Sequence, residues 1–420
     1  MFKYDTRLRA ELWENWPVLA IAFCCFLFGT SAPAFSLPFL FPEVIREFGW
    51  TRESATLLAS SKYAAGAVAS LFVGRLVDRV GAWVSLILMI GLGGGAMISF
   101  LWMSDLGSYY LAGTLLGICG SGGTVAITVL ISRVFHASQG TAVGLALLGT
   151  SLGSVVWPLL AALSMSYLGW RVGFASLSVG IWLLVLPLLV ACLVMPSLQS
   201  LGQGPAPVQT KDSKSEEGNG YSISRLVRAR PFWTLAMALF VTALVDQALI
   251  QHQVMMFDDI GMTFKWAAFG VSAIGLMSFF LRAFVGNILD AGSNKALAIL
   301  YTTLSLSALI ALWLTSPVML LLYLLFRSVA HTVVVIDIPV MTKHIFGTEN
   351  LGTLVGLFSF FTYAGFAIGP WVMGRMFDAT GSYVYSIVGF VVLPLIASGL
   401  VWNLEPKHWL AINAQGAKPQ

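Results

Sequence analysis

The chain has 420 residues, of which 58% are hydrophobic and only 10% are charged, and its formal net charge is +4 at pH 7. In soluble domains about a quarter of the residues are charged. The composition of this chain therefore excludes an ordinary water-facing surface and predicts an integral membrane protein. The small net charge predicts no nucleic-acid partner. The four cysteines lie in apolar stretches without metal-ligand spacing, so neither a disulfide framework nor a metal site nor a cofactor is predicted.

Twelve apolar stretches are long enough to span a membrane, because roughly 20 apolar residues cross about 30 Å of hydrocarbon. In chain order they are 16–41, 54–74, 82–103, 109–132, 141–163, 171–194, 231–252, 266–288, 295–314, 317–341, 351–373 and 383–403. The first stretch is too long for the core of a signal peptide. The polar segment 196–230 predicts a flexible linker between six spans and six. The predicted domains are therefore 1–195, the linker 196–230, 231–405 and a tail at 406–420.

The basic residues orient these spans. If the N-terminus is cytoplasmic, most of the 23 Lys and Arg residues fall in cytoplasmic segments and few fall on the opposite side. Cytoplasmic loops of membrane proteins carry such an excess of Lys and Arg. The pattern therefore predicts that both termini are cytoplasmic.

The two halves of the chain are similar at a fixed shift of 212 residues. The shift aligns 49–78 with 261–290 at 8 identities in 30 positions, and 140–158 with 352–370 at 8 in 19. Two separate blocks share one offset, which chance matches would not favour. Because each half holds an even number of spans, the repeat is parallel, as in transporters whose substrate site lies near mid-membrane.

Two motifs resemble those of the major facilitator superfamily. "GRLVDRVG" (74–81) resembles its G-x-x-x-D-R-x-G signature, and "GNILDAG" (286–292) is a weaker copy. The spacing in span 5 resembles the glycine-proline motif of the family, with Gly144, Gly149, Gly153 and Pro158. The resemblance implies an all-α integral membrane protein with twelve transmembrane helices in two pseudo-symmetric six-helix bundles. It also implies a monomer in the plasma membrane or bacterial inner membrane that carries a small-molecule substrate.

The loop signature suggests a cytoplasmic gate. Gly74 permits close approach of a neighbouring helix, and Asp78 can pair with a helix N-terminus or with Arg133 at the end of span 4. Such contacts hold the cytoplasmic side shut and break when it opens. The gate is predicted to comprise Gly74, Asp78, Arg79, Gly81, Arg133 and Asp290. The alternative is that these are solvated loop charges that only help to set the topology.

Six ionisable residues lie inside predicted spans, where charges are costly and therefore indicate function. They are Lys62, Asp246, Arg282, Arg327, His331 and Asp337. The repeat aligns them with uncharged residues in the other half, namely Ile274, Ala34, Ser70, Leu115, Cys119 and Val125. A scaffold requirement common to both halves therefore explains none of them.

Arg282 has two interpretations. It lies one turn before Gly286, so its side chain could reach the lipid headgroups. It could also bind a substrate carboxylate through two parallel hydrogen bonds. Arg282 shares a helix face with Ser278, and small residues at this spacing mark a protein-facing surface, which favours substrate binding by both. Lys62 lies on the equivalent face of span 2, either as a substrate ligand or paired with an acidic neighbour.

Arg327 and His331 share a face of span 10, which suits an anion-binding surface. The alternative is a neutral core histidine beside an arginine that pairs with an acid elsewhere. Asp246 and Asp337 are candidates for proton coupling, because a carboxyl group in apolar surroundings can load and release a proton. Each could equally be the fixed counter-ion of one of the bases. Gln247 in span 7 could hydrogen-bond a substrate or only a neighbouring helix.

Three short segments resemble the oxalate/formate antiporter and monocarboxylate transporter branch of the superfamily: "EFGWTRESA" (47–55), "GWRVGF" (169–174) and "HQVMMFDDIGM" (252–262). In that branch a span 8 arginine binds the substrate carboxylate, which implies this role for Arg282. This chain departs from the branch pattern, because Ser278 replaces an acid and the usual lysines of spans 1 and 11 are absent. Lys62 and Arg327 are candidate replacements.

The sequence thus predicts a secondary active transporter, a symporter or antiporter, of a small organic anion such as a monocarboxylate, with protons as a candidate coupling ion. The alternative is an efflux transporter of hydrophobic or drug-like compounds, which the 14 Trp and 28 Phe favour. Three intramembrane bases argue against cationic drugs. No H-E-x-x-H or G-x-S-x-G motif is present, so an enzyme is not predicted.

Overall fold

The computed structural model of the protein describes residues 6–136, 138–195, 226–290, 294–314, 316–347 and 351–404, without the side chains of residues 6–9, 283, 290 and 352. Throughout these described ranges the regular elements are helical. Residues 196–225 of the predicted linker and the predicted tail at 406–420 lie outside the described residues.

Eight α-helices of the described residues precede the linker. They are α1 (Thr6–Glu14), α2 (Trp16–Cys24), α3 (Ala32–Phe48), α4 (Arg52–Val80), α5 (Ala82–Ser99), α6 (Leu106–Val134), α7 (Gln139–Ser176) and α8 (Leu186–Val194). Short π-helical segments, Cys25–Ser31 and Ile181–Val185, join α2 to α3 and lead into α8. The helices after the linker are α9 (Arg230–Asp259), α10 (Phe264–Asp290), α11 (Asn294–Ala311), α12 (Pro317–Phe346), α13 (Leu351–Thr380) and α14 (Val384–Trp402).

Eleven stretches among the described residues are long and apolar enough to cross a membrane. One of them, Gln139–Val194, has 56 residues and contains two of the predicted spans. Gly169 interrupts it with φ of 73°, a conformation that glycine adopts without steric strain. The first stretch continues to Phe48, beyond the predicted end at residue 41, and stops at Gly49 with φ of 65°. A left-handed glycine is the usual end of a helix.

Large apolar side chains cover the outer faces of many helices. Leu183 is 76% exposed, and Phe284 and Leu71 are both 67% exposed. A soluble protein rarely exposes so many apolar groups together, whereas lipid solvates them without cost. The membrane environment predicted from composition therefore fits the surface of the folded helices.

The chain divides into two compact units. Unit 1 is formed from the described residues of Met1–Trp50, Leu57–Thr210 and Val254–Gly275. Unit 2 is formed from those of Thr51–Thr56, Lys211–Gln253 and Leu276–Gln420. The first turn of α4 thus belongs to unit 2, while the end of α9 and the first half of α10 belong to unit 1.

In unit 1, α7 packs closely on the π-helical segment Cys25–Ser31. A Cβ at Gly149 would overlap the Phe23 carbonyl oxygen, and one at Gly153 would overlap the Ser31 side chain. The indole of Trp157 donates to the Leu27 carbonyl oxygen at 2.7 Å. Glycine therefore allows the close approach at two positions of the predicted motif.

The other two positions of that motif, Gly144 and Pro158, do not allow a close approach between helices in this way. A Cβ at Gly144 would meet nothing within 4 Å, so close packing does not explain this glycine. Pro158 lies inside α7, one turn beyond Ser154. Because proline removes a backbone donor, it locally weakens the helix at this point.

Candidate functional site

Unit 2 contains a buried ion cluster between α9 and α12. Arg327, which is 0% exposed, donates from Nη1 to the Asp246 carboxylate at 2.6 Å and from Nη2 to the Asp246 carbonyl oxygen at 2.8 Å. Nδ1 of His331 lies 3.1 Å from the other carboxylate oxygen. The four-residue spacing of Arg327 and His331 places both side chains on one face of α12, where a single acid contacts both.

Asp246 forms an ion pair with Arg327, which is the counter-ion arrangement that one of the two interpretations described. A buried guanidinium requires such a partner, because an uncompensated charge in the interior is strongly unfavourable. The His331 side chain is 18% exposed and remains the accessible member of the cluster.

Asp337 lies apart from the cluster, ten residues further along α12 than Arg327. Its Oδ2 accepts a hydrogen bond from the Tyr301 hydroxyl of α11 at 2.8 Å. Its Oδ1 is buried and has no hydrogen-bond partner. The two intramembrane acids, which look alike in the sequence, therefore have different surroundings.

Lys62 is buried in unit 1, with 8% of its surface exposed. Its Nζ lies 4.8 Å from the centroid of the Tyr63 ring. In the ranges that the structure describes, no carboxylate forms an ion pair with it. A Cβ at Gly117 of α6 would overlap the Lys62 carbonyl oxygen, so α6 packs directly on this part of α4. No acid of the described residues therefore forms the predicted ion pair with Lys62.

Arg282 is half-buried on α10, and Ser278, one turn earlier, is 2% exposed. The Ser278 hydroxyl donates to the Ser328 carbonyl oxygen of α12 at 3.1 Å, and the Thr332 hydroxyl donates to the Ser278 carbonyl oxygen at 3.4 Å. Ser278 therefore faces protein, as the spacing predicts, whereas a Cβ at Gly286, two turns further along α10, would meet nothing within 4 Å. The hydroxyl of Ser278 is engaged in packing α10 on α12, which argues against its predicted role as a substrate ligand.

The polar face of α9 extends beyond Asp246. Gln247 is 6% exposed, and its side-chain oxygen accepts from Nε2 of Gln251 at 3.2 Å. Oε1 of Gln251 is buried without a hydrogen-bond partner. Gln253 accepts from the Tyr323 hydroxyl of α12 at 3.2 Å. This face is thus used for contacts along α9 and, at Gln253, for a contact with α12, and the predicted role of Gln247 in substrate binding stays a prediction.

Four of the predicted gate residues lie at the end of α4 and in the turn that follows it, namely Gly74, Asp78, Arg79 and Gly81. Arg133 of α6 donates to the Asp78 carboxylate at 3.2 Å, the pairing that the sequence suggested. Gly81 has φ of 88°, which explains a glycine there. A Cβ at Gly74 would meet nothing within 4 Å, so the predicted close approach at Gly74 is wrong.

The two remaining gate residues are Arg79 and Asp290. Arg79 is exposed. Asp290 ends α10, and its side chain lies outside the described residues. The gating role itself remains a prediction.

One polar network in unit 2 has no local signal in the sequence. The Asp378 carboxylate of α13 accepts the backbone N–H groups of Arg52 and Glu53 at 3.0 and 2.7 Å, and so caps the first turn of α4. Arg52 donates to the Tyr383 hydroxyl at 2.6 Å, which in turn lies 3.0 Å from Nδ1 of His252. The capped and capping residues are separated by 326 positions, so no local pattern could have linked them.

Comparisons with known proteins agree with this arrangement of helices. The profile of the Major Facilitator Superfamily matches residues 18–370. Monocarboxylate transporter 13 of Bos taurus is 29% identical over 332 residues, which cover 76% of this chain and 72% of that protein.

Solved structures of a bacterial homologue of the human lysosomal transporter Spinster share the fold. The inward-facing, unoccupied form has a TM-score of 0.73 at 14% identity and covers 97% of this chain and 98% of its own. The inward-facing, occupied form has a TM-score of 0.69 at 15% identity, with coverage of 95% and 97%. The chain belongs to the Major Facilitator Superfamily of membrane transporters and, as predicted, is not an enzyme.

Proposed function

We propose that this transporter moves a small organic anion, specifically a monocarboxylate, by alternating access. We also propose that the chain has twelve transmembrane helices in two six-helix bundles and that both termini are cytoplasmic. The protein is proposed to be a monomer in the plasma membrane or bacterial inner membrane. The 56-residue stretch Gln139–Val194 supports the twelfth crossing. At 1.5 Å per residue it is about 84 Å long, which suffices for two passages through about 30 Å of hydrocarbon.

The buried ammonium of Lys62 carries the proposal. A lysine that is 8% exposed and has no ion-pair partner among the described residues is unfavourable unless an anion joins it. An organic anion supplies that charge while it is bound and removes it on release. The aligned residue in the other half is Ile274, so the fold does not require a base at this position.

Arg282, in unit 2, is separately proposed as a ligand of a carboxylate. It lies on α10, one turn after Ser278, which packs on α12. Its guanidinium is suited to bidentate recognition of a carboxylate. Arg327 is already engaged by Asp246, so we assign it, with His331, to the electrostatic surroundings of the anion rather than to direct clamping.

The Arg282→Ala variant is expected to fold and to lose carboxylate uptake in proteoliposomes. The matched variant Arg282→Lys separates clamping from snorkelling. A snorkelling residue needs only a long cationic side chain, whereas a clamp needs the planar guanidinium. We expect Arg282→Lys to lower uptake at least roughly tenfold. Wild-type uptake by Arg282→Lys would contradict the clamp.

The curated relative gives independent support for the substrate class. A protein called monocarboxylate transporter 13 aligns with 76% of this chain. The three segments that resemble the monocarboxylate and oxalate/formate branch are consistent with that similarity. Proton coupling through one of the two intramembrane acids, Asp246 or Asp337, stays a prediction.

Efflux of hydrophobic compounds is the second candidate, and one observation favours it. Unit 1 contains a cavity of about 900 Å³ between α4, α5 and α6, lined almost wholly by apolar side chains. Val68, Phe72, Met89 and Ile118 are among them. Such a lining suits an apolar compound or a lipid chain. It contains no base that could bind an anion.

The test is uptake of a panel of labelled monocarboxylates, dicarboxylates, sugars and lipophilic cations into proteoliposomes, with and without an imposed pH gradient. We expect concentrative, saturable uptake of monocarboxylates alone. Uptake or extrusion of lipophilic compounds without carboxylate transport would favour the efflux alternative and contradict the proposal. Protein-free liposomes supply the background for each compound.

A further inference from the structure

Asp337 is an acid in a hydrophobic core. It is 1% exposed, and its neighbours one turn away on either side of α12, Val333 and Met341, both belong to the main apolar cluster of unit 2. Tyr301 belongs to the same cluster. Asp337 lies nine residues before the end of α12 at Phe346, about 14 Å along the helix axis. It is therefore well within the span.

The carboxyl group has few polar contacts. Tyr301 of α11 donates to Oδ2, while Oδ1 is buried and has no hydrogen-bond partner. The titratable groups whose charge or hydrogen bonds act on it are Tyr301 and, from α9, Asp246. Asp246 is itself paired with Arg327. In the described part of the chain, no cation forms an ion pair with Asp337.

An ionised carboxylate in these surroundings would be strongly unfavourable. Removing a charge from water without a counter-ion or several donors costs far more than one hydrogen bond returns. A protonated carboxyl group avoids this cost, since it is neutral and Oδ1 then carries the hydrogen. The aligned residue in the first half is Val125, so the fold does not require a polar side chain here.

We propose that Asp337 is the proton-binding site of this transporter and is protonated at Oδ1 when it is packed against Tyr301. Loading forms one O–H bond with a proton taken from water on one side of the membrane. Release breaks that bond and returns the proton to water on the other side. One proton is thus carried for each cycle of loading and release, and no other group is consumed.

Helices α9 and α12 connect Asp337 to the ion cluster of Asp246, Arg327 and His331. Asp246 and Thr242 lie one turn apart on α9. The Thr242 hydroxyl is close enough to interact with the Tyr301 hydroxyl, which in turn contacts Asp337. Arg327, His331 and Asp337 share α12. A movement of α9 relative to α12 therefore changes both the proton site and the surroundings of the anion. This inference rests on the proposed function, because it names the coupling ion of that transporter.

A purely structural role for Asp337 makes a different prediction. If its task were only to accept the Tyr301 hydrogen bond that ties α11 to α12, asparagine would perform it equally well. The amide introduced by Asp337→Asn has the same shape and can accept the same hydrogen bond, but it cannot bind and release a proton. Asp337→Asn is therefore the discriminating variant. Asp105→Asn is its control, because Asp105 is an exposed helix cap that asparagine also caps well.

In proteoliposomes, wild type and Asp105→Asn are expected to accumulate carboxylate when an inward proton gradient is imposed. Asp337→Asn is expected to lose that stimulation while retaining exchange of labelled for unlabelled carboxylate without a gradient. Equal stimulation in all three proteins, or none in the wild type, would overturn the inference and leave carboxylate transport standing. Failure of every protein to transport carboxylate would instead count against the proposed function.

A second measurement requires no substrate. The C=O stretching vibration of a protonated carboxyl group is well separated from the bands of an ionised carboxylate in the infrared spectrum. We expect the difference spectrum between wild type and Asp337→Asn at neutral pH to contain the carboxylic acid band. The same subtraction with Asp105→Asn should lack it. Its absence from the Asp337→Asn difference spectrum would overturn the inference whatever the substrate is.

Discussion

Replacing Asp246 with alanine is expected to lower the free energy of unfolding by about 3–5 kcal/mol, because it leaves Arg327 buried without a counter-ion. The guanidinium is 0% exposed and makes two hydrogen bonds with Asp246, one to the carboxylate and one to the backbone. Alanine preserves the backbone hydrogen bond and removes the contacts of the carboxylate with Arg327 and His331. The expected loss is therefore electrostatic in origin.

Thermal unfolding in detergent can report this change through the cysteines. Cys25, Cys119 and Cys192 are free and buried, so a thiol-reactive fluorophore detects them as the helices separate. Asp246→Ala should unfold at a much lower temperature than the wild type. An unchanged melting temperature would show that Arg327 does not depend on Asp246.

A double variant separates the charge from the packing. Replacing Asp246 and Arg327 together with leucine and methionine removes both charges and keeps the volume, so most of the stability is expected to return. Transport should not return, because the charges around the anion are gone. If the double variant were as unstable as Asp246→Ala, packing rather than the unpaired charge would explain the loss.

Replacing Lys62 with glutamine is expected to weaken carboxylate uptake roughly 10- to 100-fold without destabilising the protein. An unpaired ammonium does not stabilise the folded state, so a neutral side chain of similar length should be tolerated. The carboxylate substrate loses its charge-assisted hydrogen bond. Initial rates of uptake at low substrate concentration measure the loss, and the melting temperature without substrate checks the fold.

Ligand-dependent stabilisation gives an independent readout for Lys62. A substrate that binds the folded state raises the melting temperature by an amount that grows with the ratio of its concentration to its Kd. The wild type and the exposed-lysine control Lys265→Gln should show this rise with carboxylate, and Lys62→Gln should show little of it. An equal rise in all three would remove Lys62 from the binding site.

Much of the architecture could be predicted from local patterns. Runs of apolar residues located the helices, since each must hydrogen-bond its own backbone in lipid. The break at Gly169 also falls between the two predicted spans, 141–163 and 171–194. The pairing of Asp78 with Arg133 followed from a short motif whose residues lie at the ends of neighbouring helices.

Other parts of the site were not predictable. Ser278 has the small size and spacing of a cavity residue, yet its hydroxyl binds the Ser328 carbonyl oxygen. Gly74 lies in the family signature, yet nothing approaches the position of its absent Cβ. Asp378 caps α4 from a helix more than 300 residues away. Each of these facts depends on which helix is the neighbour, and periodicity contains no information on neighbours.

The intramembrane charges show what the sequence alone determines and what only the tertiary structure decides. Composition, apolar runs and the 212-residue repeat suffice to identify a membrane transporter and to single out six ionisable residues inside the predicted spans, because lipid penalises charge wherever it occurs. They do not say which acid neutralises which base. Asp246 meets Arg327, Asp337 accepts a hydrogen bond from the Tyr301 hydroxyl, and Lys62 forms no ion pair with an acid of the described residues. An ion pair or a hydrogen bond forms only when the two groups lie within a few ångströms, so these three outcomes follow from helix packing.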